Sequence, residues 1–158
     1  MYTIEQIEDV LITALLPLKT SLSVRDIKTY QGELDSAEEI KKAVKIFPAI
    51  IMAYGGSTYE NRGNRKIEKM RFILFFCDKN LRSEPEARRG SGENPGVYAM
   101  ISAARYLLCN QQLGLEKIEP ISLSTEEPVW FDRGVTIYSA EYETEQELIY
   151  KNRKIQNS

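Results

Sequence analysis

The sequence predicts an α+β domain in which an antiparallel or mixed β-sheet is packed by helices on one face. Apolar residues recur at helical spacing in three stretches, and alternation typical of strands marks five others. The predicted order is α-β-α-β-β-α-β-β, and hairpin-joined strands dominate it, which favours α+β over a doubly wound parallel fold. No break in composition divides the chain. We therefore expect one domain over residues 1–150 and a polar C-terminal tail over 151–158.

The N-terminal part is predicted to form a helix and then a strand. Thr3 and Gln6 form a capping box at the start of an amphipathic helix over 3–16, and Pro17 ends this helix. A partly buried strand is predicted over 22–34, where apolar and polar residues alternate.

A second helix is predicted over 36–45, between a capping box of Ser36 and Glu39 and the helix-breaking Pro48. Glu39 and Lys41 form an E-x-K pair, which in a strand would suggest a metal-dependent nuclease. On a helix, residues two apart point about 200° away from each other. We therefore expect this pair to be ordinary helix surface.

Two strong strand signals, 49–59 and 66–77, flank the Gly/Asn-rich residues 61–64, and this arrangement predicts a β-hairpin. One face of the second strand is wholly apolar, while the other face becomes apolar only toward its end. We expect this strand to be central in the sheet. The residues of its apolar face are Met70, Phe72, Leu74 and Phe76.

Residues 78–93 form the longest stretch without apolar periodicity and are predicted to be a loop. We expect this loop to be mobile in the isolated subunit and to become ordered on contact with a partner. A helix is predicted to follow, with Asn94 as its N-cap, Pro95 at its first position and Gly114 as its C-cap. The last two strands are predicted over 117–124 and 133–146.

Composition excludes several classes of site. The 158-residue chain has no histidine, the commonest general base near neutral pH and the commonest transition-metal ligand. Its two cysteines, Cys77 and Cys109, are too few for an all-cysteine zinc site, and we expect both to be buried. The net charge of −2 favours neither nucleic acid nor an anionic membrane, and no apolar run is long enough to span a bilayer. We therefore expect no enzyme activity, no cofactor, no metal site and no membrane partner.

The glycine-rich run GSGENPG (Gly90, Gly92 and Gly96) precedes a predicted helix start, where backbone N–H groups could hold a phosphate. Its spacing fits neither a P-loop, which needs a Lys-Ser/Thr pair, nor a dinucleotide fingerprint directly after a strand. We expect an ordinary helix start.

Five residues are candidates for a subunit or tube interface. Arg82, Arg88 and Arg89 lie in the predicted loop among acidic residues, where a solvated loop or a subunit contact fits better than nucleic-acid binding. Trp130 and Phe131 lie in a predicted loop or strand start beside charged residues. Half-exposed aromatic residues in such a setting often mark interfaces, and hairpin or core packing is the alternative.

Three runs of the sequence carry a resemblance to a known family: EARRGSGENPGVYAMISAARYLLCNQQLGLEKIEPIS, FPAIIMAYGG and VTIYSAEYET. From roughly residue 10 to 146, the chain resembles the gp37 family of Mu-like phages in its overall pattern and in a few Gly, Pro and aromatic positions. The resemblance brings no catalytic motif.

The resemblance implies a tail terminator of a contractile phage tail or a related particle. Such proteins are taken to cap the finished tail tube as a ring, usually of six subunits, and to provide the surface on which the head docks. The implied partners are the chain itself, the tail tube protein and head connector proteins, with DNA only passing through the ring lumen. The implied location is the host cytoplasm during assembly and then the virion tail or a phage-derived particle.

Two other functions fit the sequence. One is a head–tail connector or neck adaptor, which would use similar chemistry with different neighbours. The other is a small metal-dependent hydrolase whose carboxylates would be Asp26, Glu33 and Glu68.

Overall fold

A computed structural model gives the fold and describes residues 1–80, 84–92 and 94–149. The described strands are β1 (Asp26–Thr29), β2 (Ala49–Arg62), β3 (Arg65–Lys79), β4 (Ser122–Asp132) and β5 (Val135–Glu147). The described α-helices are α1 (Ile4–Leu15), α2 (Leu18–Ser21), α3 (Ala37–Ala43), α4 (Glu84–Arg89) and α5 (Val97–Leu108), and a 3-10 turn spans Val44–Ile46.

The strands form one mixed sheet in the order β1-β2-β3-β5-β4. β1 runs parallel to β2, and every other pair of neighbours is antiparallel. This arrangement confirms the predicted α+β class. β3 lies between β2 and β5, so the prediction that it is central is also confirmed.

The N-terminal capping box forms as predicted. The Thr3 hydroxyl accepts the Gln6 N–H at 3.1 Å, and the Gln6 side chain accepts the Thr3 N–H at 2.9 Å. Pro17 ends α1 but also begins α2, because a proline is tolerated in the first turn of a helix. The strand predicted over 22–34 was too long, since only the four residues of β1 pair with β2 before the chain turns at Gly32.

Helices cover the two faces of the sheet unequally. α1 and α5 pack on one face, hereafter the helix face, over the main core. α3 packs on the opposite face at one end only, over a smaller cluster that includes Ile51, Cys77 and Ile137. This second cluster was not predicted, and it forms where the other face of β3 becomes apolar. Residues central to the helix-face core are Leu11, Met52, Phe72, Leu74, Met100 and Ala104.

The prediction of an unstructured loop over 78–93 was wrong in part. Asp78 and Lys79 belong to β3, and α4 follows with Ala87 fully buried. A helix this short with one buried alanine leaves no apolar periodicity in the sequence, so the pattern could not reveal it. Residues 81–83 and 93 of the predicted loop lie outside the described residues, and so does the tail over 151–158.

The predicted caps of α5 were also wrong. The helix begins after Gly96, whose φ of +81° interrupts helical geometry, and the Asn94 side chain donates to the Lys79 carbonyl instead of capping. At the other end Cys109 is the C-cap, while Gly114 lies beyond the helix with a φ of +78°.

The last two strands form a hairpin that lies later in the chain than predicted. β4 includes Trp130 and Phe131, which were expected in a loop or strand start, and it contains Pro128. Proline is tolerated there because β4 is an edge strand, where one side of the backbone needs no partner.

Leu74→Ala should lower the free energy of unfolding by about 2–5 kcal/mol, because truncation of a fully buried leucine leaves a cavity in the core. Lys69→Ala, on the same strand but half-exposed and ion-paired with Glu143, should cost less than about 1 kcal/mol. Urea unfolding followed by circular dichroism measures both. Equal costs for the two variants would contradict the burial of Leu74 in the helix-face core.

Candidate assembly surface

A buried carboxylate lies where β3 ends and α5 begins. Asp78 is fully buried; its Oδ2 accepts the Gly96 N–H at 2.8 Å and its Oδ1 accepts the Lys79 N–H at 2.7 Å. The chain itself therefore supplies an anion to the start of α5, where the helix dipole favours negative charge. Burial raises the pKa of Asp78 from 3.8 to about 6, and the two N–H donors oppose this rise.

The segment between α4 and α5 folds back tightly on itself. Gly90 and Gly96 both have positive φ, and a Cβ atom added to Gly96 would lie 2.2 Å from the Gly90 nitrogen. Asn94 binds this segment to the sheet, because its side-chain amide donates to the Lys79 carbonyl at 2.6 Å. These contacts hold α4 against α5, β3 and β5.

α4 carries Arg88 to an exposed group of aromatic rings. The Arg88 guanidinium carbon lies 5.6 Å from the centre of the Phe131 ring, within the range of a cation–π contact. Phe131 contacts Tyr138 edge-on at 5.6 Å, and Tyr138 contacts Tyr98 edge-on at 5.8 Å. We call these four residues, from α4, α5, β4 and β5, the aromatic patch.

The aromatic patch is accessible although its members contact one another. Phe131 is 43% exposed and Tyr98 is 45% exposed, while Tyr138 is half-buried between them. Burial raises the pKa of Tyr138, and the neighbouring Tyr98 side chain acts in the same direction. Tyr138 is therefore neutral at physiological pH, and Arg88 supplies a positive charge beside the neutral rings.

The structure brings together two of the five residues predicted for an interface, Arg88 and Phe131. Arg89 is exposed at the end of α4, and Arg82 lies outside the described residues. Trp130 faces the opposite side of the sheet, where it packs half-buried against the cluster under α3. None of these contacts tests the interface role, which stays a prediction.

Sequence reasoning missed two members of the aromatic patch. Tyr98 lies outside the apolar stripe of α5, so a large aromatic residue on the polar side of that helix was a readable signal. Tyr138 gave no such signal, because alternation along β5 makes it look like an ordinary sheet residue.

The three carboxylates considered for a metal-dependent hydrolase do not converge. Asp26 pairs with Ala49 on β2, and Ala49 pairs with Cys77 on β3. Glu68 lies nine residues before Cys77 on β3, which is about 30 Å at the usual rise of a strand. Within 1–80, 84–92 and 94–149, no group of three or more Asp, Glu or Cys side chains is placed to hold a metal ion. The E-x-K pair lies on the surface of α3, as predicted.

In the part of the chain that the structure describes, no helix has the length and apolarity to cross a membrane.

An exposed surface of aromatic and arginine side chains has the composition that is enriched at protein–protein interfaces. The chain belongs to the family described as Bacteriophage Mu, Gp37, whose model matches residues 3–147. This match confirms the resemblance seen in the sequence, and it identifies a phage structural protein of the Mu-like type. A comparison with curated proteins finds no match.

The pKa of Asp78 predicts a specific pH dependence of stability. Because folding raises this pKa, the folded state holds the proton more tightly than the unfolded state does. The stabilisation that Asp78 adds to the free energy of unfolding is therefore complete below about pH 4, and it is lost as the pH rises through about 6. The free energy of unfolding of the wild type, minus that of Asp78→Asn, should therefore fall over this range by at most about 3 kcal/mol. Urea unfolding at pH 4 to 8 measures it, and parallel pH curves for the two proteins would contradict it.

Gly96→Ala should destabilise the protein far more than Gly114→Ala. The two glycines have nearly the same φ, +81° and +78°, but a Cβ atom at Gly96 would collide with the Gly90 and Arg88–Arg89 backbone, whereas the space at Gly114 is open. Gly114→Ala thus controls for the strain of a positive φ, which costs on the order of 1–3 kcal/mol. Thermal melting compares them, and equal melting temperatures would show that the tight fold between α4 and α5 is not essential.

Proposed function

We propose that this phage structural protein is a tail terminator. Copies of it form a ring, expected to contain six subunits, that caps the finished tail tube, stops its polymerisation and presents the surface on which the head docks. The family match over residues 3–147 supports this proposal at the level of a phage structural protein. The observation that carries the step to self-assembly is the aromatic patch.

The aromatic patch has the features of an interface centre. Tyr, Phe and Arg are enriched at such centres, because large rigid side chains bury much area and lose little conformational entropy. The edge-on contacts of Tyr138 with Tyr98 and Phe131 already restrict these rings in the isolated subunit, so binding costs less ordering. Arg88 over Phe131 keeps guanidinium N–H groups for a carboxylate on a neighbour.

The proposed partners are other copies of the chain, the tail tube protein and the head connector proteins. DNA passes through the lumen without being gripped, consistent with a net charge of −2. Assembly takes place in the host cytoplasm, and the ring then stays in the virion tail or in a phage-derived particle. A ring built by rotation needs two different surfaces on each subunit, and the aromatic patch supplies one of them.

Replacing both Arg88 and Arg89 with alanine should prevent ring formation and leave the fold intact. The melting temperature should change little, because exposed substitutions usually cost less than about 0.5 kcal/mol and the lost cation–π contact about 0.5–1 kcal/mol more. Lys41→Ala with Lys42→Ala is the control, since it also removes two positive charges from a short helix.

Circular dichroism melting, light scattering and negative-stain microscopy with and without tail tubes compare the two double variants. The arginine variant should melt normally but fail to form rings or to decorate tube ends, while the lysine variant should assemble. Normal rings from the arginine variant would show that this surface is not the interface. A wild-type protein that stays monomeric at high concentration and also ignores tube ends would overturn the terminator role.

A further inference from the structure

Within the described residues, the sheet has a free edge at each end. On one side β1 pairs only with Ala49–Met52, so the remainder of the longer β2 has no partner strand on its outer side among the described residues. On the other side β4 is the edge strand along its whole length. Unpaired strand edges present rows of N–H and C=O groups that readily join another strand.

The backbone of both edges can be oriented from the hairpins. Arg62 pairs with Arg65 across a two-residue turn, so its main chain faces β3 and that of Tyr59 and Asn61 faces outward. Asp132 pairs in the same way with Val135. Along β4, counted back from Asp132, the main chain faces β5 and the outside in turn, and each of the two bulges adds one residue to this alternation. The β4 residues whose main chain faces outward are Leu123, Glu126, Pro128 and Phe131.

The strand directions suit a head-to-tail contact. β2 and β4 run in opposite directions within one subunit, because β2-β3-β5-β4 are successively antiparallel. A second copy can lie beside the first with its strands in the same direction and its helices on the same side of the sheet. Its β4 then runs antiparallel to β2 of the first copy. The two edges differ, so the contact is heterologous, and it builds a ring where the rotation between successive copies closes.

We propose that Thr58–Arg62 of one copy pairs antiparallel with Ser122–Glu127 of the next copy. This inference rests on the proposed ring and identifies a contact that builds it.

Strand faces and hydrogen-bonding sides both repeat every two residues, so alignments that differ by two residues satisfy both. A shift in one direction would set Glu60 against Glu127 and Tyr59 against Pro128. A shift in the other would set Asn61 against Ile121, whose N–H and C=O already bond Gln111 and Asn110. The remaining alignment sets Tyr59 against Glu126 and Asn61 against Leu123, which are outward-facing main-chain pairs.

The same alignment places the intervening residues on matching faces. Thr58 lies against Glu127 and Glu60 lies against Thr125, both on the face opposite the helices, as the register with β3 and β5 requires. Ser124 is the extra residue of a β4 bulge and needs no partner. No two like charges face each other, and a like-charged pair directly opposite would be destabilising.

Both segments end where pairing must stop. Next in the alignment, Ser57 would meet Pro128, which has no N–H to donate. On β2 the bulge at Gly55 and Gly56 interrupts the ladder beyond that point. Neither Pro nor Lys, the residues that usually block an edge, occurs in Thr58–Arg62.

A disulfide between introduced cysteines tests this pairing. Thr58→Cys with Glu127→Cys, in a Cys109→Ser background, joins an exposed pair at a site where the Cα atoms of directly opposite residues come within disulfide range. Within one subunit β3 and β5 separate the two strands, so these positions are at least about 14 Å apart and cannot bond. Cys77 is fully buried and stays unreactive.

Mild oxidation of this variant, free and on tail tubes, should give a ladder of covalent oligomers on a non-reducing gel. Thr58→Cys with Thr125→Cys, one pair out of register on the same face, should give at least five-fold less cross-linking. A mixture of the two single-cysteine variants should give dimers only, which places each bond between copies.

Rings seen by microscopy without in-register cross-links would overturn this edge pairing and leave the terminator proposal intact. Rings in which both cysteine pairs cross-link equally would overturn the alignment. If the wild-type protein, without introduced cysteines, forms no ring in solution or on tubes, the proposed function is overturned and this inference with it.

Discussion

The burial of β3 on both faces is the constraint on which the rest of the structure depends. Met70, Phe72 and Leu74 need cover on the helix face, and α1 and α5 supply it. Phe75 and Cys77 turn the other way, and α3 covers only that end of the opposite face. Since β3 must pair on both sides to satisfy its buried backbone, β2 and β5 are held beside it over nearly their whole lengths.

The same strand fixes the position of the aromatic patch. Near the end of β3, the carboxylate of Asp78 accepts the Gly96 N–H and so helps to set where α5 begins. The close contact of Gly96 with Gly90 then holds α4 beside the sheet. From this position Arg88 reaches Phe131. Burial of this carboxylate is costly, and the raised pKa of Asp78 reflects that cost.

At the opposite end of the sheet, a buried amide plays a comparable part. The Gln146 side chain accepts the Tyr2 N–H at 2.8 Å and donates to the Tyr2 carbonyl and to Glu68, both at 2.9 Å. This network ties the residues before α1 to the central strands. The helix-face core is thus closed at both ends by hydrogen-bonded polar groups, while among the described residues the outer part of β2 and the edge of β4 have no partner strand. In the proposed assembly, stability and association therefore rest on different parts of one sheet.

Local patterns in the sequence were enough to predict the fold class, the capping box at Thr3, the hairpin of β2 and β3 and the central place of β3. These features rest on local rules of periodicity, capping and turn chemistry, which act over a few residues. Tertiary structure alone decided that Arg88 meets Phe131, that Trp130 faces the other way and that α4 exists. The reason is physical: α4 is held by contacts with residues distant in sequence, and the side on which an aromatic residue lies depends on bulges and register that no local pattern shows.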